Sequence, residues 1–373
     1  MTAAGWDRAR EVLCVRLDSL GDVLMTTPAL RALKGLSGKP RLTLLTSPSG
    51  AAVAPLVPEV DDVVVYDAPW LKATAPRAGS APDAAMIELL ARRGFDASVI
   101  FTVYSQSPLP SALLCHLAGI PLRLAHCREN PYGLLSDWVP EPEPERLVRH
   151  EVQRQLDLVG AIGASTGDDR LSLVFPDEVR SSVAERLTAS GLRLDRSWAV
   201  VHPGGTAPSR RYHPERFALV ADALQRDHGW HIVFSGTESE RALVAEVQAA
   251  MSSRARSLVG ELSVAEMAAL VELAPVLISN NTAPVHMAAA VGTPVVDLYA
   301  LTNPQHTPWK VPHAVLYHDV PCRFCLKSVC PQGHHDCLAR VSPEAVVAAA
   351  LRLAAGHADV STQPLLATGP LLP

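Results

Sequence analysis

Short apolar runs alternate with longer amphipathic stretches along most of the chain, and this alternation predicts strands that alternate with helices. Apolar runs at 12–15 and 198–201 are typical of strands buried on both faces. The predicted strands are 12–15, 42–46, 63–66, 97–101, 198–202, 231–234, one near 258, 276–279 and 294–299. The predicted helices are 22–36, 51–56, 85–93, 110–118, 150–162, 177–190, 214–227, 238–251, 263–273, 283–291 and 343–354. Strands that alternate with helices indicate βαβ units and parallel sheets.

The alternation occurs twice, and the polar stretch 163–170 separates the two halves. A chain of 373 residues suits two domains, since single cores stop growing near ~250–300 residues. We expect an α/β protein with a Rossmann-like domain over 1–170 and a second over 171–355, two doubly wound parallel sheets facing a central cleft. The tail 356–373 has scattered prolines and no periodicity, which predicts disorder.

Two further segments are predicted to be irregular. Residues 73–84 are rich in Ala and Pro and are expected to form a loop. Residues 140–145 alternate Pro and Glu, which predicts a stiff, solvated connection.

Composition narrows the class of protein. Hydrophobic residues make up 48% of the chain and charged residues 19%, an ordinary globular balance. The net charge of −5 gives no basic surface for a nucleic-acid partner. No apolar run approaches the ~18–20 residues that span a bilayer, and the charged residues 1–11 do not resemble a signal peptide. We therefore expect a cytoplasmic protein. Seven cysteines in a chain of this size do not suggest the disulfide framework of a small secreted protein.

The first candidate for chemistry is Asp22, which follows Gly21 between the first strand and the next helix. Its position suits a helix N-cap. It also suits a general base aimed at the edge of the sheet where ligands bind. Spacing alone favours the cap. No G-x-G-x-x-G follows the strand, which weakens a dinucleotide-binding hypothesis.

The second candidate is the loop after the strand at 198–202. Gly204, Gly205 and Thr206 could present backbone N–H groups to phosphate oxygens, and Arg210 and Arg211 could add fixed cations. The alternative is an ordinary turn with two solvated arginines, and the residues alone do not decide between them.

The third candidate is the segment around Thr282, which can begin a helix and so form an anion site. His286 lies one turn inside that helix and is more typical of a core histidine. Glu240 follows another strand, where it could accept hydrogen bonds from ribose hydroxyls or merely add acid to a first helical turn.

The fourth candidate is a cluster of cysteines near the end of the chain, with His334 and His335 among them. Its members are Cys322, Cys325, Cys330 and Cys337. Their spacing differs from common zinc and iron–sulfur patterns. Metal binding, a reversible disulfide and simple thiol clustering all stay open.

Taken in order, these segments resemble glycosyltransferase family 9, the heptosyltransferase family of lipopolysaccharide core assembly. The resemblance rests on 16–30, 204–217, 279–298 and the cysteine-rich segment. It implies a GT-B fold with the acceptor in the first domain and a nucleotide sugar in the second. It also implies an inverting, metal-independent transfer that requires no cofactor, and the chain has no Asp-x-Asp motif.

The resemblance also implies roles for single residues. Asp22 matches the family's base, Arg210 its basic residue on the diphosphate, and Thr282 a phosphate contact, while Glu240 is a looser match. The donor-binding set is then Gly204, Gly205, Thr206, Arg210, Arg211, Glu240, Asn281, Thr282, Ala283 and His286. Asn281 and Ala283 depart from the family's usual Asp and Gly. Both departures fall where the donor should bind, so the resemblance does not fix which sugar the donor carries.

The expected function is transfer of heptose from ADP-heptose to a lipopolysaccharide inner-core or related acceptor, a glycolipid or oligosaccharide at the inner membrane face. A structural zinc, not needed for catalysis, is one of the alternatives open for the cysteine cluster. One alternative is a nucleotide-sugar epimerase of the same architecture. Another is a non-catalytic protein that binds a nucleotide sugar or uses the cysteines to bind a metal.

Overall fold

The computed structural model describes residues 3–72 and 74–357, and only the backbone of residues 3 and 4. The chain divides after Ser172 into two compact units, whereas the sequence places the boundary after residue 170. Residue 73 and the predicted tail from 358 onward lie outside the described residues. None of the helices in the described part of the chain has the length and apolar character that a membrane crossing requires.

The first unit is built on one parallel sheet with the strand order β3-β2-β1-β4-β5-β6. Its strands are β1 (Glu11–Arg16), β2 (Arg41–Thr46), β3 (Asp62–Val65), β4 (Ala97–Ile100), β5 (Leu122–Cys127) and β6 (Asp137–Pro140). Its helices are α1 (Ala3–Trp6), α2 (Leu20–Lys34), α3 (Pro48–Ala51), α4 (Ala81–Arg93), α5 (Leu109–Leu117) and α6 (Glu151–Gly160). The run 12–15 is fully apolar because β1 is central and covered on both faces.

The second unit is built on a parallel sheet with the order β12-β11-β10-β7-β8-β9. Its strands are β7 (Trp198–His202), β8 (His231–Phe234), β9 (Arg256–Ser257), β10 (Leu277–Asn280), β11 (Val295–Leu298) and β12 (His313–Leu316). Its helices are α7 (Asp177–Ala189), α8 (Pro214–His228), α9 (Arg241–Ala250), α10 (Val264–Leu273), α11 (Ala283–Val291), α12 (Asp336–Ala339) and α13 (Pro343–Ala354).

The two sheets have the same topology: in each unit the next two strands extend the sheet on one side of the first strand, and the last three extend it on the other side. The direction reverses between β1 and β4 in the first unit and between β7 and β10 in the second. In doubly wound folds, ligands bind outside the carboxyl ends of the strands at this reversal. The predicted α/β class with two doubly wound parallel sheets is confirmed.

Several local predictions were wrong. Strands β5, β6 and β12 were not predicted, since their short sequences mix apolar residues with His, Arg, Asp or Pro. Helix α4 begins at Ala81 inside the predicted loop, because Pro82 lies in the first turn, where its missing N–H costs nothing.

The Pro-Glu segment at 140–145 is also not solvated. Glu143 is fully buried and Glu141 nearly so. Arg149 Nη2 lies 2.9 Å from Glu143 Oε2, and Arg154 Nε lies 3.0 Å from Glu141 Oε2. Two arginines further along the chain therefore bring these acids into the interior, and the Pro-Glu pattern by itself does not reveal them.

Candidate functional site

The first unit carries a buried cluster of charges at the carboxyl end of β1. The Arg16 guanidinium contacts three carboxylates: Nε is 3.2 Å from Asp18 Oδ2, Nη2 is 3.0 Å from Asp22 Oδ1, and Nη1 is 2.9 Å from Glu151 Oε1. The Arg16 and Glu151 side chains are inaccessible, whereas those of Asp18 and Asp22 are each 16% exposed. The cluster thus joins the buried Arg16 cation to one buried carboxylate and two partly exposed ones.

Burial and mutual contact set the charges in this cluster. Burial alone would lower the pKa of Arg16, but Asp18, Glu151 and Asp22 together raise it above its usual value. Burial raises the pKa of Asp18 to about 6 against the opposing effect of Arg16. Arg16 is therefore a permanent cation.

Asp22 is held in one orientation by this cation and by the start of α2. Its Oδ2 accepts hydrogen bonds from Ser19 N at 3.0 Å and Ser19 Oγ at 2.6 Å. The N-cap residue is Ser19, so the prediction that Asp22 is the N-cap was wrong. Asp22 is the third helical residue and closes a capping box. A partly exposed carboxylate fixed on both sides suits proton transfer as well as capping.

Most of this cluster has no signature in the sequence. Glu151 begins α6 and lies 135 residues from Arg16, so no local pattern connects them. Arg16 and Asp18 belong to the motif that precedes Asp22, and this position at a strand end was the one available signal.

The second unit places its loop of glycines at the reversal between β7 and β10. The buried Asn280 ends β10 and donates from Nδ2 to Pro203 O at 2.7 Å and Gly204 O at 3.1 Å. Its Oδ1 accepts from Tyr212 N at 2.9 Å. Asn280, to which the sequence assigned no role, therefore fixes the loop to the neighbouring strand.

Glu240 shapes the same loop from the other side. Its Oε1 accepts from Gly205 N at 2.9 Å, and its carboxylate fills the space that a Cβ on Gly204 would need. Hydrogen bonds from Thr237 and Gly205, together with nearby His202, hold the pKa of Glu240 below its usual value although burial opposes this. The N–H of Gly205 is thus already bound by a carboxylate.

Gly205, Arg211 and Thr282 come together beside this loop. A Cβ on Gly205 would lie 3.3 Å from Thr282 Cγ2, and Arg211 Nε donates to Gly205 O at 2.6 Å. Thr282 is the N-cap of α11. Its shielded hydroxyl, like Nε of the half-buried Arg210, has no hydrogen-bond partner among the described residues. Glycine backbone, Arg211 and a helix N-terminus are thus brought to one place, and Arg210 precedes Arg211 in the chain.

The other predicted donor residues lie around this point. Thr206 is exposed beside Gly205. Ala283 is the first residue of α11 and has helical backbone, so its methyl group causes no strain there. His286 is buried one turn into the helix.

Asn281 has a physical reason to differ from aspartate. Its Nδ2 donates to Asp297 Oδ2 at 2.9 Å and to His306 O at 2.9 Å. Asp297 is inaccessible, and burial raises its pKa well above the usual value. A carboxylate at 281 would face this buried acid, whereas an amide can donate to it.

The zinc alternative for the cysteine cluster finds no support among the described residues. Among the described residues no group of three or more His, Cys, Asp or Glu side chains could hold a metal ion. Cys322, Cys325, Cys330 and Cys337 are half-buried free thiols, and Cys322 Sγ lies 3.8 Å from His334 Nε2. The segment is held by its main chain instead: Ser209 N donates to Ser328 O at 3.0 Å and Ser209 Oγ to Lys327 O at 2.7 Å.

Two doubly wound units, one with a fixed carboxylate and one with a glycine loop beside a helix N-terminus, are typical of two-domain glycosyltransferases of the GT-B fold. The model of glycosyltransferase family 9 (heptosyltransferase) matches residues 85–335, more than half of the chain. The chain therefore belongs to that family, and the predicted family and enzyme class are confirmed.

Individual relatives agree with this assignment. The chain is 27% identical over 253 residues to lipopolysaccharide heptosyltransferase 2 of Escherichia coli, covering 64% of this chain and 70% of the relative. It is 25% identical over 159 residues to lipooligosaccharide heptosyltransferase 2 of Campylobacter jejuni. That match covers 41% of this chain and spans only half of the relative.

Solved structures share the fold over most of their length. A family 9 glycosyl transferase from Veillonella parvula aligns with a TM-score of 0.77 at 22% identity, over 93% of this chain and 98% of that one. E. coli heptosyltransferase WaaC, solved with ADP-2-deoxy-2-fluoro heptose, aligns with a TM-score of 0.61 at 20% identity, over 90% and 97%.

Proposed function

We propose that this protein transfers a sugar from a nucleotide-diphosphate donor to a lipopolysaccharide inner-core or related glycan. ADP-heptose is the first donor to test. Membership of family 9, the heptosyltransferase relatives and the WaaC structure with an ADP-heptose analogue support this choice. The acceptor would be a glycolipid or oligosaccharide reached at the inner face of the cytoplasmic membrane.

The observation that carries the proposal is the convergence of Gly205, Arg211 and Thr282 in the second unit. A helix N-terminus favours bound anions through its dipole and free N–H groups. The Thr282 hydroxyl has no partner in the described part of the chain, which costs about 1–3 kcal/mol, and a phosphate oxygen would accept its hydrogen bond. Arg210 adds a second guanidinium, whose Nε has no hydrogen-bond partner among the residues that the structure describes. These groups together suit a diphosphate.

The chemistry is a direct displacement. An acceptor hydroxyl oxygen attacks the anomeric carbon of the donor, and the bond from that carbon to the diphosphate oxygen breaks with inversion. The nucleoside diphosphate leaves, and the acceptor proton passes to the Asp22 carboxylate, which Arg16 and Ser19 orient.

The leaving diphosphate gains charge as the bond breaks. Arg210, Arg211 and the N-terminus of α11 would stabilise it, as fixed cations and aligned N–H groups do in other transfers. The Gly205 N–H contributes less to phosphate binding than the sequence of the loop suggests, since Glu240 already accepts its hydrogen bond. Glu240 retains lone pairs for a ribose hydroxyl.

Donor binding tests this proposal. We expect ADP-heptose to raise the melting temperature more than GDP-, UDP- or dTDP-sugars do. Thr282→Val should weaken donor binding about 3–10-fold, the worth of one hydrogen bond. Thr188→Val, at an exposed threonine of α7, is the matched control and should bind as wild type.

Two results would contradict the proposal. One is a full set of nucleotide sugars that leave the melting temperature unchanged. The other is conversion of the donor, without acceptor, into a different nucleotide sugar, which would favour the epimerase alternative.

A further inference from the structure

The first unit contains a cavity of about 300 Å³ at the reversal between β1 and β4. Its apolar lining includes the side chains of Phe101 and Trp70. Trp70 is 36% exposed and is held edge-on against Tyr66, with ring centroids 5.7 Å apart. Ligand pockets run from ~300 to ~1,000 Å³, so this cavity suits one small ring rather than a longer chain.

Polar groups converge on the same cavity. Asp18 lines it, and Asp18 Oδ1 accepts from Gln106 Nε2 at 2.6 Å. Thr102 also lines it and is more than nine-tenths buried. The Thr102 hydroxyl has no hydrogen-bond partner among the described residues. An apolar lining with a few convergent polar groups is typical of a small-molecule site.

The cavity adjoins the predicted base through Arg16. Asp18 and Asp22 contact the same guanidinium, at 3.2 Å from Nε and 3.0 Å from Nη2 respectively. A ring that hydrogen-bonds to Asp18 could therefore present a neighbouring hydroxyl near Asp22. This placement assigns the cavity to the acceptor rather than to the nucleotide.

Charge decides which kind of ring fits. Asp18 is the only charged residue among the described residues that line the cavity. Arg16 beside it is already shared by three carboxylates and cannot compensate a fourth. A basic side chain, Arg128, lines a separate cavity of about 180 Å³ that shares Ser105, Gln106 and Ser107 with the first.

We propose that this cavity binds one uncharged, hydroxyl-rich pyranose ring of the acceptor, with Trp70 against the ring and Asp18 accepting a hydroxyl hydrogen bond. This inference rests on the transferase function proposed above. Asp18 is then a specificity residue that rejects acidic sugars, because their carboxylate would lie against its own. Thr102 would donate to a ring hydroxyl.

Binding of simple glycosides tests this without any transfer reaction. Neutral methyl pyranosides of gluco and manno configuration are compared with the matching methyl uronides by tryptophan fluorescence and saturation-transfer NMR on the full chain. We expect a neutral pyranoside to bind at least ~10-fold more tightly than its uronide at pH 7.5. Trp70→Ala should abolish binding, whereas Trp138→Ala, at a tryptophan of matched exposure on β6, should not.

Asp18→Asn isolates the carboxylate. It should weaken neutral pyranoside binding about 3–10-fold. The ratio between the affinities for the neutral pyranoside and for the uronide should also become smaller. Wild-type affinity should also fall as the pH drops through about 6, where Asp18 beside Arg16, Asp22 and Glu151 becomes protonated. Asp18→Asn should remove that pH dependence.

Three outcomes would overturn the inference: equal binding of the uronide, no binding of any pyranoside, or unchanged binding by Asp18→Asn. The transferase function fails separately. If pyranosides bind as expected but no nucleotide sugar binds, the cavity assignment stands and the transferase proposal falls. If donors bind and transfer occurs without these pyranoside effects, only the cavity assignment falls.

Discussion

The two units of this protein share one strand order, but their candidate sites consist of different kinds of residue. Both sites lie where the strand order reverses, at β1 and β4 in the first unit and at β7 and β10 in the second. The first is a cluster of buried charges around Arg16. The second is a loop of glycines fixed by Asn280 and Glu240.

The difference matches the chemistry proposed for each unit. Moving a proton requires a carboxylate held in one orientation. The Arg16 cation holds the Asp22 carboxylate in this way. Binding a diphosphate requires close approach of backbone and helix N-terminus, which small residues allow. The same sheet topology thus supports two kinds of site.

The largest effect is expected from Arg16→Met. Removing the guanidinium leaves Glu151 buried without its cation, so the free energy of unfolding should fall by about 3–5 kcal/mol. Chemical denaturation measures this loss. The double variant Arg16→Met with Glu151→Gln should recover part of it, because the uncompensated charge is then gone.

Arg92→Met is the matched control for this experiment. Among the described residues, Arg92 pairs only with Glu88, on the exposed face of α4, so its loss should change the free energy of unfolding by less than ~1 kcal/mol. Equal losses in Arg16→Met and Arg92→Met would show that the charge cluster does not hold the first unit together.

A smaller effect is expected from Asn281→Asp in the second unit. The new carboxyl would face buried Asp297 in place of a donating amide and destabilise the protein by about 1–3 kcal/mol. Both acids would have a raised pKa, so the folded state would hold protons that the unfolded state releases, and the loss should grow as pH rises above ~4. Denaturation at pH 5 and pH 8 measures this.

The double variant Asn281→Asp with Asp297→Asn reverses the pair and should restore most of the stability. Unchanged stability in Asn281→Asp at pH 8 would mean that the amide is not needed as a donor to Asp297.

The smallest of these effects is expected from Gly204→Ala. The added methyl group would displace the Glu240 carboxylate from Gly205, and the loosened loop should bind donor about 3–10-fold more weakly. Calorimetric titration with the donor measures this. Gly167→Ala, where a Cβ meets no neighbouring atoms, is the control and should bind as wild type.

The Glu240→Ala background sharpens the test. If Gly204→Ala acts by displacing Glu240, it should cost little further affinity there, whereas additive losses would point to another cause.

The sequence predicted the second site better than the first. The second site draws on short segments at strand ends, which contain Gly204, Gly205, Arg211 and Thr282. Such segments can be recognised in the sequence without knowledge of the rest of the fold. The paired sheets also followed from alternation alone. Glu240 was placed near the loop, but its hold on Gly205 required the structure.

The first site depends on contacts between distant residues. Glu151 reaches Arg16 across 135 positions, and Gln106 reaches Asp18 across 88. The wrong prediction for 140–145 has a nearer cause, because Arg149 and Arg154, which bury two acids there, lie 6 and 13 residues from their partners Glu143 and Glu141. Periodicity reports only neighbours along the chain, so it cannot reveal such pairs.

The most direct test of the account is sugar transfer by Asp22→Asn at saturating donor and acceptor. Asn keeps the shape of the side chain and can still accept from Ser19 N, while Arg16 retains Asp18 and Glu151. The turnover number should fall by about 10²–10⁴-fold, with donor affinity and melting temperature nearly unchanged. Asp83→Asn, at an acid in the first turn of α4, should leave turnover unchanged. Wild-type turnover in normally folded Asp22→Asn would contradict the central claim that Asp22 is the base.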